Sequence, residues 1–293
     1  MKILVTGSSG LVGSQVVKDL TKQNHHVHSC YYNAKPKHGV PTKLDLVNFD
    51  DIKNTLSITK PDAIIHLAAM TSVDLCESEP NIAMRINANA TKILAEQAGK
   101  INSFFVYVST DYVFDGKRGM KKETDKPHPL GVYGSSKLEG ELLLNNLTSS
   151  YAIARTSTPF GFHKTKKSFP IWVKENLETK KEIPVLVDQF TSPTHISNLS
   201  KMLIEITTRQ IAGIIHLAGA TRISRYEFAE MIADKLYLDK TLLRPTKISD
   251  MSWRAERPMD SSLDVSLATK ILNEKPQKIE QSLQIFIDEL KSN

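Results

Sequence analysis

A glycine string near the N-terminus constrains the fold of this chain more than any other feature. Gly7, Gly10 and Gly13 are spaced as GxxGxxG; they follow a short apolar run, Lys2–Thr6, and overlap a stretch with helical spacing, Leu11–Lys22. In a strand–loop–helix unit, such glycines permit a tight turn, let the backbone approach a pyrophosphate, and let the helix pack on the strand. The spacing predicts a parallel α/β sheet with a dinucleotide at the start of its first helix. A glycine-rich turn without a ligand is the alternative.

The rest of the first half alternates apolar runs with helical stretches. Strands are predicted at His26–Tyr31, Ala63–Leu67, Phe104–Ser109 and Tyr151–Arg155, and helices at Ile82–Ala98 and Tyr133–Asn146. This alternation is typical of βαβ units, whose right-handed crossovers place helices on both faces of the sheet. We therefore predict a doubly wound, Rossmann-like dinucleotide-binding domain over residues 1–155.

The alternation ends after residue 155. Helices are predicted at Ser168–Asn176, at His195–Thr208 and from about Glu280 to Lys291, and strands at Pro184–Val187 and Gly213–Leu217. Ser224 and Glu227 have capping-box spacing and begin a further helix, which runs to Leu236. Lys164, Lys166 and Lys167 fall in a loop-like segment. The pattern predicts a smaller, mostly helical substrate-binding region over residues 156–293, with excursions into the sheet near residues 184–217.

Charge and cysteine content exclude several classes of protein. The net charge of +6 is spread evenly, since residues 1–155 hold 18 Lys and Arg against 15 Asp and Glu, and residues 156–293 hold 20 against 17. A nucleic-acid-binding arm would concentrate the excess, so no nucleic-acid partner is predicted. Cys30 and Cys76 form no disulfide framework or CxxC metal pair, and no apolar run could span a membrane. We expect a cytoplasmic protein without a signal peptide.

The end of the second strand indicates which dinucleotide is bound. A carboxylate at this place holds the ribose 2′-hydroxyl of NAD, but here the chain offers Asn33, Lys35 and Lys37. Two lysines favour a 2′-phosphate, so NADP(H) is predicted as the preferred cofactor and NAD(H) as the second option. The alternative is that the lysines only decorate a solvated loop. Asp45 is the next acid and is expected at the adenine edge or, alternatively, in a surface turn.

Tyr133 and Lys137 are the first candidates for catalysis. They stand four residues apart, which places both on one face of a helix. A free tyrosine has a pKa of about 10 and needs a nearby cation to act as an acid near neutrality. Thr110 ends a predicted strand 23 residues earlier, at the sheet edge where ligands bind. Together the three residues predict protonation of a carbonyl oxygen during hydride transfer.

These motifs carry a family resemblance. The chain resembles the extended short-chain dehydrogenase/reductases and, within them, the dTDP-4-dehydrorhamnose reductases, over nearly its full length. The resemblance rests on the segments Thr6–Gly13, Leu67–Ala69, Val73-Asp74, Glu77–Pro80, Asn87-Ala88, Ser109–Gly116, Tyr133-Gly134, Lys137-Leu138, Asp188–Phe190, Pro193-Thr194 and Arg257-Pro258. It implies reduction of a nucleotide-linked 4-keto-6-deoxy sugar by NAD(P)H, in a monomer or a homodimer.

The resemblance also implies roles for individual residues. Tyr133 matches the catalytic acid, Lys137 its partner that lowers the tyrosine pKa, and Thr110 the hydroxyl that acts on substrate and tyrosine. The cofactor contacts it implies, together with those expected above, are Gly7, Ser9, Gly10, Leu11, Val12, Asn33, Asp45, Leu46, Leu67, Ala68, Ala69, Tyr133 and Lys137. The substrate contacts are expected at Thr110, Asp111, Tyr112, Thr158, Gln189 and Arg257. A structural salt bridge is the alternative role for Arg257.

Two departures from the family pattern limit what is carried over. Thr158 stands where the reductases usually place an aromatic residue against the sugar, so the identity of the sugar stays open. Some bacterial reductases hold magnesium through acidic residues at a dimer interface, and the matching positions here are Gln15 and Ser197. No metal requirement is predicted. His26 and His28 lie in a strand with His25 before them, and alternation divides the three between two faces.

Two other functions are weighed against the reductase. The regulatory β subunit of methionine adenosyltransferase resembles the same family and binds NADP and a partner enzyme. The basic loop after the second strand and Arg244-Pro245-Thr246 resemble that subunit, whereas Thr110 favours the reductase. Sugar-nucleotide dehydratases carry a glutamate as their base where Tyr112 stands here. Without that carboxylate, a dehydratase or epimerase is the least favoured function.

Overall fold

The computed structural model describes residues 1–144 and 150–292. Its strands are β1 (Lys2–Thr6), β2 (His26–Tyr31), β3 (Val40–Lys43), β4 (Ala63–His66), β5 (Phe104–Thr110), β6 (Tyr151–Thr156), β7 (Pro159–Phe160), β8 (Ile183–Leu186), β9 (Phe190–Thr191), β10 (Thr194–His195), β11 (Gly213–His216), β12 (Ile223–Ser224) and β13 (Leu243–Thr246). Its helices are α1 (Leu11–Lys22), α2 (Phe49–Thr59), α3 (Val73–Ser78), α4 (Pro80–Met84), α5 (Ala90–Lys100), α6 (Val132–Leu144), α7 (Phe169–Glu178), α8 (Ile196–Thr208), α9 (Arg225–Leu236), α10 (Ser266–Ile271) and α11 (Ile279–Ser292). A π-helical turn, Arg85–Asn89, joins α4 to α5.

Seven strands form one parallel sheet in the order β11-β6-β5-β4-β1-β2-β3. The order reverses direction at β1, so the crevice in which such sheets bind ligands lies at the carboxyl ends of β1 and β4. Alternate residues of β1 face opposite sides, with Ile3 and Val5 in a core shared with α1 and α8, and Leu4 in a core shared with α2 and α5. The predicted doubly wound α/β fold is confirmed.

Most predicted elements are confirmed to within two residues. The long helix predicted at Ile82–Ala98 is helical throughout but contains the π turn. Of the helix predicted at Tyr133–Asn146, the last two residues lie outside the described part of the chain. The sequence patterns do not predict the strands β3, β7, β9, β10, β12 and β13 or the helices α2, α3 and α10. The β3 strand, Val-Pro-Thr-Lys, is mostly exposed and contains proline, as is typical of an edge strand without hydrophobic alternation.

The region after residue 155 has a hydrophobic core of its own. Phe160, Val173, Phe228, Leu243 and Phe286 belong to this core, which joins strands β7, β8 and β13 to helices α7, α9 and α11. Of the sheet excursions predicted near residues 184–217, β11 extends the main sheet beside β6, whereas β8 pairs with β13 in a separate two-stranded sheet. The division at residue 155 stays a prediction.

The α9 helix begins at a capping box, as its sequence predicts. The Ser224 side chain accepts from the Glu227 backbone N–H, and the Glu227 carboxylate accepts from the Ser224 N–H. The box fixes where the chain turns into α9, and so fixes the first helical residue, Arg225.

No helix within residues 1–144 and 150–292 is long and apolar enough to cross a membrane.

Candidate active site

The glycine loop packs so closely that side chains are excluded from it. Gly7 has a φ of +67°, and a Cβ there would lie 2.8 Å from the backbone nitrogen of Ala68. A Cβ on Gly13 would lie 2.1 Å from the Gly7 carbonyl oxygen. Glycine is therefore required at both positions, by the turn at Gly7 and by the approach of α1 at Gly13. The predicted roles of these two glycines agree with this geometry.

The start of α1 leaves hydrogen-bond donors free. Gly10 is the N-cap and supplies no side chain, while the Gly10 N–H itself donates to the Gly7 carbonyl at 2.9 Å. The backbone N–H groups of Leu11 and Val12 donate to no acceptor among the described residues. A pyrophosphate binds where backbone N–H groups at a helix N-terminus are free to donate and where glycines let it approach the backbone closely. The residues therefore fit a dinucleotide.

A buried network fixes the segment after β4, which lies beside the glycine loop. The Thr6 hydroxyl accepts from the backbone N–H groups of Leu67 and Ala68, both at 3.1 Å, and contacts His66 Nδ1 at 2.7 Å. His66 Nε2 in turn lies 3.1 Å from the Thr91 hydroxyl. The ends of β1 and β4 are thus held together. The segment predicted to contact the cofactor, Leu67–Ala69, lies directly beside Gly7.

The π turn brings Asn87 into the site. Its side chain accepts from the Met70 N–H at 2.8 Å and donates to the Met70 carbonyl at 3.1 Å and to the Ser136 hydroxyl at 2.9 Å. Asn87 thereby ties the loop after β4 to helix α6. The sequence analysis singled out Asn87 only as part of a segment of the family resemblance. Hydrophobic periodicity could not indicate this residue, because a π turn leaves no signal in it.

The α6 helix carries Tyr133 and Lys137 and is held at its start by an acid. The Glu77 carboxylate accepts from the Val132 backbone N–H at 2.7 Å. A carboxylate at this position satisfies an otherwise free donor and interacts favourably with the positive end of the helix dipole. Glu77 is therefore a positioning residue for the start of α6.

Removing the Glu77 carboxylate should destabilise the protein. In Glu77→Ala, the Val132 N–H loses its acceptor, so we expect the free energy of unfolding to fall by about 1 kcal/mol. Urea denaturation checks this expectation. Glu79→Ala is the matched control, since Glu79 is exposed and makes no side-chain cap. Equal midpoints for the two variants would contradict a capping role.

Thr110, Tyr112 and Tyr133 meet where β5 ends. The Tyr112 and Tyr133 rings are in edge-to-face contact with centroids 5.8 Å apart, and the Tyr112 N–H donates to the Thr110 hydroxyl at 3.2 Å. Burial raises the pKa of Tyr133, and a hydrogen bond with the Thr110 side chain opposes the rise. The structure thus brings together the predicted acid and the predicted hydroxyl.

Lys137 is buried below Tyr133. Its Nζ donates to the Val108 carbonyl at 2.9 Å and lies 4.0 Å from the centroid of the Tyr107 ring. Burial lowers the pKa of Lys137 to about 7, and the nearby carboxylate of Glu141 opposes that shift. In this arrangement the charge of Lys137 is held by a carbonyl and an aromatic face.

One helical turn further, Glu141 forms a buried ion pair. Arg155 Nη2 lies 2.6 Å from Glu141 Oε2, and Arg155 Nε lies 3.0 Å from Oε1, with both side chains at most 3% exposed. The Ser109 hydroxyl donates to the same carboxylate. These contacts tie β5, β6 and α6 together directly beneath the catalytic candidates.

The predicted substrate residues surround a second basic group, Arg225. Arg225 Nε donates to Gln189 Oε1 at 3.3 Å, and Arg225 Nη2 donates to the Thr158 hydroxyl at 3.4 Å. Thr158 has a φ of +43°, an uncommon conformation for a β-branched residue. The Ser157 hydroxyl donates to the buried Asp111 carboxylate at 2.7 Å.

Arg225 is the site residue that sequence reasoning missed. Burial lowers the pKa of Arg225, and the neighbouring Tyr112 and Asp111 oppose the shift. The capping box located the first residue of α9, but only the folded chain shows that this residue faces the end of β5. Nothing in the sequence pairs this arginine with Gln189, which it contacts in the structure.

Arg257 is engaged by an acid. Its Nη2 donates to Asp74 Oδ2 at 2.7 Å, and its guanidinium lies 5.2 Å from the Trp253 ring centroid. The side chain is only 12% exposed, so the contact is the salt bridge that the sequence offered as the alternative. Substrate binding by Arg257 stays a prediction.

The residues predicted at the adenosine end lie near the carboxyl ends of β2 and β3. Asn33 is exposed just after β2. Asp45 accepts from the Val47 N–H at 3.0 Å, within its own turn, and Leu46 packs against the core that contains α2. Their contact with a cofactor stays a prediction, as does the absence of a metal requirement. Gln15 donates to Asp19 at 2.9 Å, and the Ser197 hydroxyl lies 2.7 Å from His195 Nδ1.

The chain is similar to known proteins over its whole length. It matches the family described as RmlD substrate binding domain over residues 1–292. A dTDP-4-dehydrorhamnose reductase from Aggregatibacter actinomycetemcomitans is 34% identical over 299 residues, which cover 97% of this chain and 97% of that protein. Methionine adenosyltransferase 2 subunit beta from Xenopus laevis is 32% identical over 279 residues, which cover 92% of this chain and 82% of that protein.

A solved structure has the same fold. The crystal structure of dTDP-4-dehydrorhamnose reductase from Bacillus anthracis, in complex with NADP, aligns with a TM-score of 0.88 and 28% identity. The alignment covers 98% of this chain and 99% of that one. The similarity therefore includes the region after residue 155 as well as the nucleotide-binding sheet.

Proposed function

The chain belongs to the RmlD substrate binding domain family, and from that membership we propose that it is an NAD(P)H-dependent oxidoreductase. The family resemblance inferred from the sequence is confirmed. We propose that the protein reduces the 4-keto group of a nucleotide-linked 6-deoxy sugar, with NADP(H) as the preferred cofactor. We place it in the cytoplasm, since its two cysteines, Cys30 and Cys76, are free and buried.

One observation carries this proposal. The Tyr133 ring contacts that of Tyr112, whose N–H donates to the Thr110 hydroxyl at the carboxyl end of β5. This is the same edge of the sheet as the Gly7 turn and the free N–H groups of Leu11 and Val12. A proton donor therefore faces a dinucleotide cleft. A similar reductase, that from Bacillus anthracis, has its structure in complex with NADP.

The roles of the residues follow from this placement. The backbone at the start of α1 holds the pyrophosphate, and the dinucleotide, when bound, supplies the hydride. Thr110 orients the keto oxygen of the substrate, and the Tyr133 hydroxyl gives it a proton as the carbon is reduced. A nearby cation lowers the pKa of a phenol, so the phenol gives up its proton more easily. We assign this role to Lys137.

The sugar side of the site is polar and deeply placed. Asp111, Gln189 and Arg225 offer a carboxylate, an amide and a guanidinium within one connected region. Burial raises the pKa of Asp111, and its hydrogen bonds to Ser157 and Thr110 oppose the rise. Such groups suit the hydroxyls of a sugar, and a guanidinium suits its diphosphate.

An absorbance assay tests the proposal. NADPH, and then NADH, is mixed with the protein and an enzymatically prepared dTDP-4-keto-6-deoxy-L-sugar, and oxidation is followed at the nicotinamide band. We expect oxidation with both cofactors, faster with NADPH. The reductase function would be overturned if the protein binds NADPH tightly but does not oxidise it with this substrate or with UDP- and GDP-linked 4-keto sugars.

The regulatory function is the second candidate. It is favoured by the 32% identity to methionine adenosyltransferase 2 subunit beta of Xenopus laevis. Co-purification with a methionine adenosyltransferase catalytic subunit, together with a change in that enzyme's rate on addition of this protein, would support it. If the same preparation reduces a sugar nucleotide and leaves the rate of that enzyme unchanged, the reductase function is supported instead.

The pKa of Lys137 makes the reaction sensitive to pH. If the ammonium is needed, kcat/KM should fall as pH rises through about 7, because the free enzyme loses that proton. The fall should approach about tenfold per pH unit, as for loss of one proton. Lys137→Arg keeps the charge at every accessible pH, so its slower reaction should lack this alkaline limb. An identical limb in that variant would assign the titration to another group.

A further inference from the structure

A series of buried hydroxyl, imidazole and amide groups connects the cofactor cleft to helix α6. Thr6 and His66 are cross-strand neighbours at the carboxyl ends of β1 and β4. From His66 the series continues to Thr91 in α5, to Asn87 in the π turn and to Ser136 in α6. These five residues, here termed the His66 network, are each at most 1% exposed. Groups buried so deeply must make their hydrogen bonds within the protein.

The hydrogen bonds of Thr6 fix where the proton of His66 lies. The Thr6 hydroxyl has two lone pairs, and the backbone N–H groups of Leu67 and Ala68 use both, each at 3.1 Å. The hydroxyl proton must therefore go to His66 Nδ1, 2.7 Å away, which makes Nδ1 an acceptor. Burial, with the nearby charge of Lys137, lowers the pKa of His66 to about 3. The ring is thus neutral and carries its proton on Nε2.

The other side of the imidazole continues the series toward α6. His66 Nε2 donates to the Thr91 hydroxyl at 3.1 Å, and that hydroxyl donates to the Asn87 carbonyl at 2.7 Å. The Asn87 side chain donates to the Ser136 hydroxyl at 2.9 Å, which donates to the Tyr133 carbonyl at 2.8 Å. Asn87 takes part through both its carbonyl and its side-chain amide. The network therefore extends from the segment beside the glycine loop to the residue that carries the phenol.

The two ends of the network are the parts of the site that a hydride transfer must align. Leu67 and Ala68 lie beside the glycine loop, where the residues fit a dinucleotide, and Tyr133 is the proposed acid. Misplacing reacting groups by about 1 Å costs about 10²-fold in rate. A buried polar network is rigid when all its members are satisfied, and each polar side-chain atom of this one has a partner.

We propose that His66 is a positioning residue, which holds the segment Leu67–Ala68 in register with Tyr133 through Thr91 and Asn87. The inference rests on the proposed reduction and deepens it, since it assigns the alignment of cofactor and acid to a buried histidine that acts through other residues. A break in the network loosens both of its ends and leaves the start of α1 unchanged. We therefore expect kcat to fall while the affinity for NADPH is retained.

Replacing Thr91 by an isosteric residue tests the inference. Thr91→Val removes the hydroxyl that links His66 to Asn87, so kcat for NADPH and the 4-keto sugar should fall about tenfold. The Kd for NADPH should stay within about twofold, because only the alignment of the reacting groups is lost. Thr91→Ser keeps the hydroxyl and should retain most of the wild-type kcat. A wild-type kcat in Thr91→Val, or an equal loss of NADPH affinity, would overturn the inference.

Thr207→Val is the matched control. Thr207 is buried in α8, and its hydroxyl donates to the Leu203 carbonyl one helical turn earlier, at 2.6 Å, as that of Thr91 does to Asn87. It has no histidine partner within the described part of the chain. Thr207→Val should therefore keep the wild-type kcat. Equal losses of kcat in the two valine variants would assign the effect to helix stability and contradict a positioning role.

A histidine variant shows whether His66 and Thr91 act as one unit. His66→Asn keeps an acceptor for Thr6 but lacks the distal nitrogen that reaches Thr91. It should lower kcat about as much as Thr91→Val, and the double variant should be no slower than either single one, since the same network is already broken. Losses that multiply in the double variant would show two independent effects and overturn the inference.

Amide hydrogen exchange separates the inference from the reductase function. Mass spectrometry of the full chain follows peptides that cover residues 63–72 and 131–138, the two ends of the network. Both should exchange faster in Thr91→Val and remain unchanged in Thr207→Val. If both respond but the wild type reduces no sugar nucleotide, the inference is supported and the reductase function is overturned. If the wild type reduces the sugar and neither peptide responds, the inference alone is overturned.

Discussion

Replacing Tyr133 by phenylalanine should lower kcat by about 10²–10⁴-fold, the usual contribution of a general acid. The substitution removes only the hydroxyl of a buried side chain that lies near Thr110. The edge-to-face contact with Tyr112, with centroids 5.8 Å apart, uses the ring and is retained. Binding of NADPH should therefore remain within about twofold, because the backbone at the start of α1, which we propose holds the pyrophosphate, is unchanged.

Stopped-flow absorbance with saturating substrate measures this loss, and fluorescence titration measures cofactor affinity. Tyr237→Phe is the control, since Tyr237 is 96% exposed at the end of α9. Unchanged turnover in Tyr133→Phe would remove Tyr133 from the role of acid. Loss of cofactor binding together with turnover would point to a folding defect and would equally remove the basis for the assignment.

The second large effect concerns stability. In Arg155→Met, the Glu141 carboxylate stays buried without its counterion, so we expect the free energy of unfolding to fall by about 3–5 kcal/mol. For a chain of this size the melting temperature should fall by roughly 10 °C. Both side chains are at most 3% exposed, so water cannot replace the lost partner.

Two further variants make the stability prediction specific. The double variant Arg155→Met/Glu141→Leu should regain most of the loss, because neither charge remains to be desolvated. Lys174→Met breaks an ion pair of similar length, 2.7 Å to Glu178, on the surface, and should cost less than about 1 kcal/mol. Similar melting temperatures for Arg155→Met and Lys174→Met would contradict a structural role for the buried pair.

Local rules predicted the parts of the site that local geometry controls. Gly7 and Gly13 are set by one turn and one helix, so their spacing alone indicated the cleft. The four-residue spacing of Tyr133 and Lys137 likewise follows from one helix, α6. Thr110 was predicted to lie at the end of a strand because the apolar run before it indicates where that strand ends.

Features that depend on packing between distant segments could not be predicted from the sequence. Lys137 donates to the Val108 carbonyl, an interaction that helical spacing does not reveal. Arg225 meets Gln189 and Thr158 because β9 and β12 pair and bring α9 to the end of β5. None of these pairs has a signature in the sequence, because no periodicity links them.

The edge of the main sheet has a consequence for how this protein is made. β11 pairs with β6, and α8 packs Leu199, Met202 and Leu203 into the same core as β1 and α1. A nascent chain that ends before α8 lacks these side chains, so it exposes both an unpaired strand edge and an apolar face. The first 155 residues therefore complete neither their sheet nor their core until some 60 more have left the ribosome.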